Sequence, residues 1–241
     1  MKKNQLTTVR VIVSATPQRD DSQKKRDEKT TLNYRLLFKE FDAIGLPDVM
    51  NKNPLYELST PNGKDRMLGF DKQVGGLLVK GRLYLDASDL NDMYTISYFE
   101  LILEGLADVR SRRNTFLCAP ICFITLEEAV NLTQGRCIYR ESEVDPFGKG
   151  CWLFLGSSEL MPGVLQPLIL HNGFRVREYL LETGLGSWLG LEGYNKLVSD
   201  LENGYRCDLT LGTGKGMRTV KVEADPFQQR LKVMDGEEAR N

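Results

Sequence analysis

The sequence predicts an α+β fold: a single domain in which about three to four helices pack on a mostly antiparallel twisted sheet, with a β-hairpin near the C-terminus. Short segments such as GLLVKGRLYL alternate apolar and polar residues, the period-two signature of half-buried strands. Ser97 to Glu100 and Thr125 to Glu128 have the spacing of a capping box, which opens a helix by satisfying its first backbone N–H groups. Strand and helix patterns neither alternate strictly, as in a βαβ fold, nor segregate into separate blocks.

The 241 residues are 41% hydrophobic and 27% charged, values that allow a sizeable core and exclude a disordered chain. The net charge of −1 and a pI of about 6.0 exclude a strongly basic nucleic-acid binder and leave only local basic faces. The longest apolar runs fall well short of the roughly 20 residues of a membrane helix. MKKNQLTTVRV lacks the apolar centre of a secretory signal. The five cysteines, an odd number set in apolar stretches, read as reduced buried thiols. An intracellular protein is expected, in cytoplasm or nucleus, or in a virion if the chain is viral.

Val9, Val11 and Val13 alternate in TTVRVIVSA and predict an N-terminal strand within residues 1–15. QRDDSQKKRDEKT carries no apolar side chain, so residues 16–31 read as a charged flexible linker or arm. Residues 32–234 form the expected globular domain, and 235–241 an acidic, frayed tail. Within the domain, LNYRLLFKEFDAI places Leu32, Leu36, Phe41 and Ile44 on one helical stripe, stopped by Gly45 and Pro47. Residues 46–73, with Pro47, Pro54 and Pro61, read as irregular surface.

Leu77, Val79, Leu83 and Leu85 mark a strand. SYFELILEGLADV is expected to be a helix, with Phe99, Ile102, Leu103 and Leu106 facing the core and the RSRRN cations at the negative end of its dipole. TFLCAPICFIT is a buried strand broken or bulged at Pro120. Thr125 opens a short helix that Gly135 ends, and RCIYR and CWLFL are short strands. Asn172-Gly173 between two β-like runs predicts a hairpin. A last helix is expected at roughly Leu191 to Glu202.

LGTGKGMR, at 211–218, resembles a phosphate-binding loop, but the spacing argues against it. A P-loop needs a glycine five positions before Gly214 and a Ser or Thr after Lys215; Leu209 and Gly216 stand there. Cys207, Leu209 and Leu211 before it and Arg218, Val220 and Val222 after it each share one parity, so a hairpin turn is expected.

Catalytic and metal signatures are equally thin. His171, the one histidine, precedes a turn and has no assignable cysteine partner, and Cys118 and Cys122 look like core. Glu127-Glu128 and Glu237-Glu238 read as surface, since adjacent helical residues point about 100° apart. GLGSWLGLEG lacks the glycine two after Ser187 that a nucleophile elbow requires. No catalytic residue, metal or cofactor is expected.

Basic clusters are the stronger feature. Lys24, Lys25 and Arg26 lie on the arm; Arg110, Arg112 and Arg113 follow a segment expected to be helical; Lys215 and Arg218 flank the glycine turn. Separate positive patches on a near-neutral body suit phosphates of lipid or nucleic acid. Trp188 and Tyr205 are candidate contact or base-stacking residues.

From Val79 to Leu155 the order VKGRLYLDAS, SYFELILEGLADV, a basic loop, TFLCAPICFITLEEA and CWLFLGSS resembles the rhabdovirus matrix proteins. The Pro-Pro-x-Tyr motif usual in that family is absent, Pro54-Leu55-Tyr56 being nearest. The resemblance implies a non-enzymatic structural protein of virion assembly that self-associates and links nucleoprotein to an anionic membrane surface. Two other readings stand beside it: a nucleic-acid-binding accessory protein of a virus, phage or plasmid, and a Cys/His-dependent enzyme.

Overall fold

The computed structural model describes residues 21–52, 66–87, 93–103, 114–117, 124–141, 150–158, 161–213 and 216–234. The expected N-terminal strand, the acidic tail, Cys118 and Cys122 lie outside them. The described elements are mixed α+β. Helices α1 (Asp21–Ala43), α2 (Pro47–Lys52), α3 (Leu126–Thr133), α4 (Val176–Thr183) and α5 (Gly190–Glu202) are joined by strands β1 (Arg66–Val74), β2 (Leu77–Ala87), β3 (Tyr94–Leu103), β4 (Asn114–Leu117), β5 (Ile138–Arg140), β6 (Cys151–Ser158), β7 (Met161–Leu170), β8 (Cys207–Thr213), β9 (Gly216–Asp225) and β10 (Arg230–Met234).

Seven strands form one sheet in the order β1-β2-β3-β4-β7-β6-β5, and β10-β9-β8 form a second. Two antiparallel runs, β1 to β4 and β5 to β7, join through a parallel pairing at Asn114 and Leu165. Pairing of β8 with β9 extends to Thr213 and Gly216, as the hairpin reading of the glycine loop requires. Strand β10, which the sequence reading had not separated, turns this hairpin into three strands.

Several expectations are corrected. Residues 21–31 of the expected linker or arm are helical, because Lys24 and Lys25 stand three or four residues before Glu28 among good helix formers, a spacing that supports a largely exposed helix; residues 16–20 lie outside the described residues. Leu37 and Phe41 of α1, with Ile44 just past its end, form the buried stripe, while Leu32 and Leu36 are exposed. Residues 46–73 hold α2, which Pro47 opens, and β1, paired to β2 around Gly75-Gly76, whose positive φ angles are those of a two-residue hairpin. Asn172-Gly173 joins a strand to a helix: Asn172 Oδ1 accepts from the Phe174 N–H, its amide donates to the Pro226 carbonyl, and α4 follows.

The largest correction concerns β3. SYFELIL is not a helix but the body of β3. Tyr84 faces Tyr98 while Leu85 faces Ile96, so Ser97 is an extra residue, a bulge. It moves the inward positions from Tyr94 and Ile96 to Phe99 and Leu101. The resulting gap of three imitates a helical repeat, although Tyr, Thr, Ile and Phe favour strands. Glu100, expected to close a helix cap, is buried and accepts from the Tyr84 hydroxyl at 3.0 Å.

Two apolar cores share the β5–β6 edge of the large sheet. Ile138, Cys151 and Leu153 face the first, with Leu37, Phe41, Phe99 and Leu132. Cys137, Tyr139 and Trp152 face the second, with Val176, Leu180, Leu201, Leu209 and Val220. Burial of both faces explains why RCIYR and CWLFL read as nearly unbroken apolar runs. The Trp152 indole N–H donates to the Phe174 carbonyl at 3.0 Å, and its ring lies 5.7 Å from that of Phe174.

Helix α3 has the expected capping box: the Glu128 N–H donates to Thr125 Oγ1 at 3.3 Å and the Thr125 N–H to Glu128 Oε2 at 2.8 Å. Glu128 is buried rather than a surface group and also pairs with Arg140 at 2.6 Å. A polar seam joins α3 to the end of α5. Asn131 donates to the Asn203 carbonyl at 2.8 Å, and Arg136 bridges Asn131 Oδ1 and the Gly204 carbonyl.

Candidate functional site

The exposed apolar surface with the clearest shape is the corner between α4 and α5. The sequence TGLGSWLGLEG makes this corner. Gly184 ends α4 with φ 69°, and Gly186 and Gly190, at φ 77° and 68°, flank a short 3-10 turn, Ser187–Leu189. A residue with a Cβ adopts such angles poorly, so three glycines reverse the chain within a few positions. Helix α4 buries Val176 and Leu180, and α5 buries Leu197, Val198 and Leu201.

Other apolar side chains of the corner stay outside the core. Leu191 is 79% exposed, Leu181 67% and Trp188 47%. Between the helices lies an open cleft of about 470 Å³, lined by Leu180, Leu181, Leu185, Leu191, Tyr194 and Arg177. Two polar contacts hold its walls together. The Tyr194 hydroxyl donates to the Arg177 carbonyl at 2.9 Å, and the Arg177 guanidinium donates to Asn195 Oδ1 at 3.1 Å while lying 5.9 Å from the Tyr194 ring centroid. Glu178, Glu182 and Glu192 are exposed on the same two helices.

The sequence-derived candidates are scattered across the described structure. Lys24, Lys25 and Arg26 are exposed on the first turns of α1, and Arg218 is exposed on β9. Arg110, Arg112, Arg113 and Lys215 lie outside the described residues. Trp188 sits on the helical corner. Tyr205 is half-buried, and its hydroxyl donates to Glu127 Oε2 at 2.6 Å; burial, reinforced by that carboxylate, pushes the phenol up to about 12. A ring tethered beside a carboxylate is poorly placed to receive a nucleotide phosphate. Leu181 and Leu191 escaped the sequence reading because leucines in short amphipathic helices look like core until packing shows which are left out.

Reactive groups are not gathered into a catalytic constellation among the described residues. Burial pushes the Cys137 thiol up to about 12 and the Cys207 thiol up to about 11, opposite to the shift that activates a nucleophile. His171 is exposed at the end of β7. The described His, Cys, Asp and Glu residues form no cluster of three that could hold a metal ion, and no described helix is long and apolar enough to cross a membrane. Comparison of the chain with family models, curated proteins and solved structures finds no match.

Proposed function

We propose that this chain is a non-enzymatic structural and interaction protein that self-associates and docks onto partner surfaces. The observation that carries this reading is the α4–α5 corner, where Leu181, Trp188 and Leu191 stay exposed around a cleft. Grouped large apolar side chains around a cleft mark sites of association. The raised thiol pKa values weigh the same way, since they make Cys137 and Cys207 poor nucleophiles.

In its fuller form the role is that of a matrix-type protein linking nucleoprotein to the inner face of a membrane, with Lys24, Lys25 and Arg26 of α1 meeting anionic headgroups. Flotation with neutral and anionic vesicles, run beside sedimentation at rising protein concentration, tests both forms. Flotation that grows with anionic lipid supports the membrane role. A monomer at every concentration that floats with neither vesicle overturns the proposal.

A further inference from the structure

The sequence contains three Asn-Gly steps, at 62–63, 172–173 and 203–204, and the fold places the last two in opposite surroundings. Asn62 and Gly63 lie outside the described residues. Asparagine is among the thermolabile side chains of proteins, and a glycine after it leaves the next backbone nitrogen without a Cβ to shield it.

At the junction of β7 and α4, Asn172 Oδ1 accepts the Phe174 N–H at 3.1 Å. This is an Asx turn, which folds the side-chain carbonyl back over the following peptide. The Phe174 N–H polarises that carbonyl and stabilises negative charge arriving on its oxygen, as an oxyanion-hole donor does. The Gly173 N–H makes no hydrogen bond within the described residues. Gly173 is exposed, and open space surrounds the place a Cβ would take. An activated carbonyl carbon therefore stands beside a free nitrogen.

Asn203-Gly204 is the counterexample. The Asn203 amide donates back along α5 to the Ser199 carbonyl at 2.9 Å, and the Gly204 N–H donates to the Leu201 carbonyl at 3.2 Å. Gly204 is buried, and a Cβ there would fall 2.9 Å from the Cys137 carbonyl. Attack by its nitrogen requires breaking both bonds inside a packed seam.

We propose that Asn172 is a site of spontaneous deamidation in the folded protein and that Asn203 is protected from it. Hydroxide removes the Gly173 amide proton, and the nitrogen forms a bond to Asn172 Cγ. The Cγ–Nδ2 bond then breaks, and its nitrogen leaves as ammonia with a proton from water, closing a cyclic imide. Water opens the ring at either carbonyl, leaving aspartate or isoaspartate at position 172. The reaction also removes a tertiary tie. Asn172 Nδ2 donates to the Pro226 carbonyl in the turn between β9 and β10, whereas an ionised carboxylate only accepts. Deamidation thus unfastens that turn from the start of α4. The proposal is independent of the interaction reading above.

Peptide mapping of the full chain at mildly alkaline pH tests it, with native and urea-unfolded samples incubated until the unfolded chain has reacted at both 172 and 203. In the native protein, aspartate and isoaspartate should accumulate at 172 while 203 keeps its amide. Asn172→Asp reproduces the aspartate product without the reaction, and it should unfold at lower urea than the wild type. An amide still intact at 172 of the native protein, or equal conversion at 172 and 203, overturns the site. An Asn172→Asp variant as stable as the wild type overturns the loss of the tie to Pro226.

Discussion

The Glu40 carboxylate of α1 accepts a hydrogen bond from the main-chain N–H of Ile96 at 2.9 Å, and two turns earlier Asn33 Oδ1 accepts from the Tyr94 N–H at 3.1 Å. Among the described residues β4 pairs with β3 from Tyr98 to Leu101, and both donors precede that stretch of β3. Side chains of α1 accept both of these main-chain N–H groups. Burial holds the Glu40 carboxyl above its ordinary range, opposed by the Ile96 hydrogen bond, which favours the anion.

That arrangement predicts a difference between two substitutions. Glu40→Ala leaves a buried N–H without a partner and should cost about 1–3 kcal/mol. Glu40→Gln keeps an amide oxygen for Ile96 and should be neutral or stabilising at pH 7. Because the folded pKa is raised, the carboxyl's favourable contribution is complete below its unfolded value and is lost as pH rises through the folded value. The advantage of Glu40→Gln should therefore shrink as pH falls below the unfolded carboxylate range, read by urea unfolding at several pH values. An equal loss in both variants at pH 7 would contradict this.

Trp152 gives a second test. Its indole fills the second core and satisfies the Phe174 carbonyl. Trp152→Phe should cost about 1–3 kcal/mol, and Trp152→Ala about 3–5 kcal/mol. Trp152 and Trp188 are the two tryptophans, so Trp152→Phe should also leave only the red-shifted, easily quenched emission of an exposed indole. Unchanged stability, or blue-shifted emission in that variant, would contradict the placement of either ring.

The raised Cys137 pKa predicts slow chemistry. With the thiol at about 12, its thiolate fraction at pH 8 falls roughly three orders of magnitude below that of a free cysteine. Peptide-resolved alkylation of the native protein should therefore modify Cys137 only on the timescale of unfolding. Labelling at the rate of a model thiol would show that the residue is not buried beside β6.

Local signals in the sequence were legible and tertiary ones were not. Thr125 and Glu128 announce the start of α3 because both partners of the cap lie within four residues, and the glycine turn announces β8 and β9 through the parity of its flanks. Strand β3 was hidden because the Ser97 bulge gives Ile96 and Phe99 a helix-like spacing, and a bulge depends on the neighbouring strand. Asn172-Gly173 looked like a hairpin because the bond from Asn172 to the Pro226 carbonyl comes from residues distant in sequence. At the candidate site, the glycine-rich setting of Trp188 makes it a contact candidate but fits core packing as well, and only the fold leaves its ring exposed. The exposure of Leu181 and Leu191 depends on α4 and α5 turning Leu180 and Leu201 inward.

Amide hydrogen exchange at low and high protein concentration tests the central claim most directly, because it reports which backbone segments association protects. If the chain self-associates through its helical corner, exchange should slow with concentration in residues 181–195, while β1 and β9 exchange at unchanged rates. Concentration-independent exchange throughout, or protection confined to β1 or β9 with the corner unaffected, would contradict the assignment of α4 and α5 as the binding face.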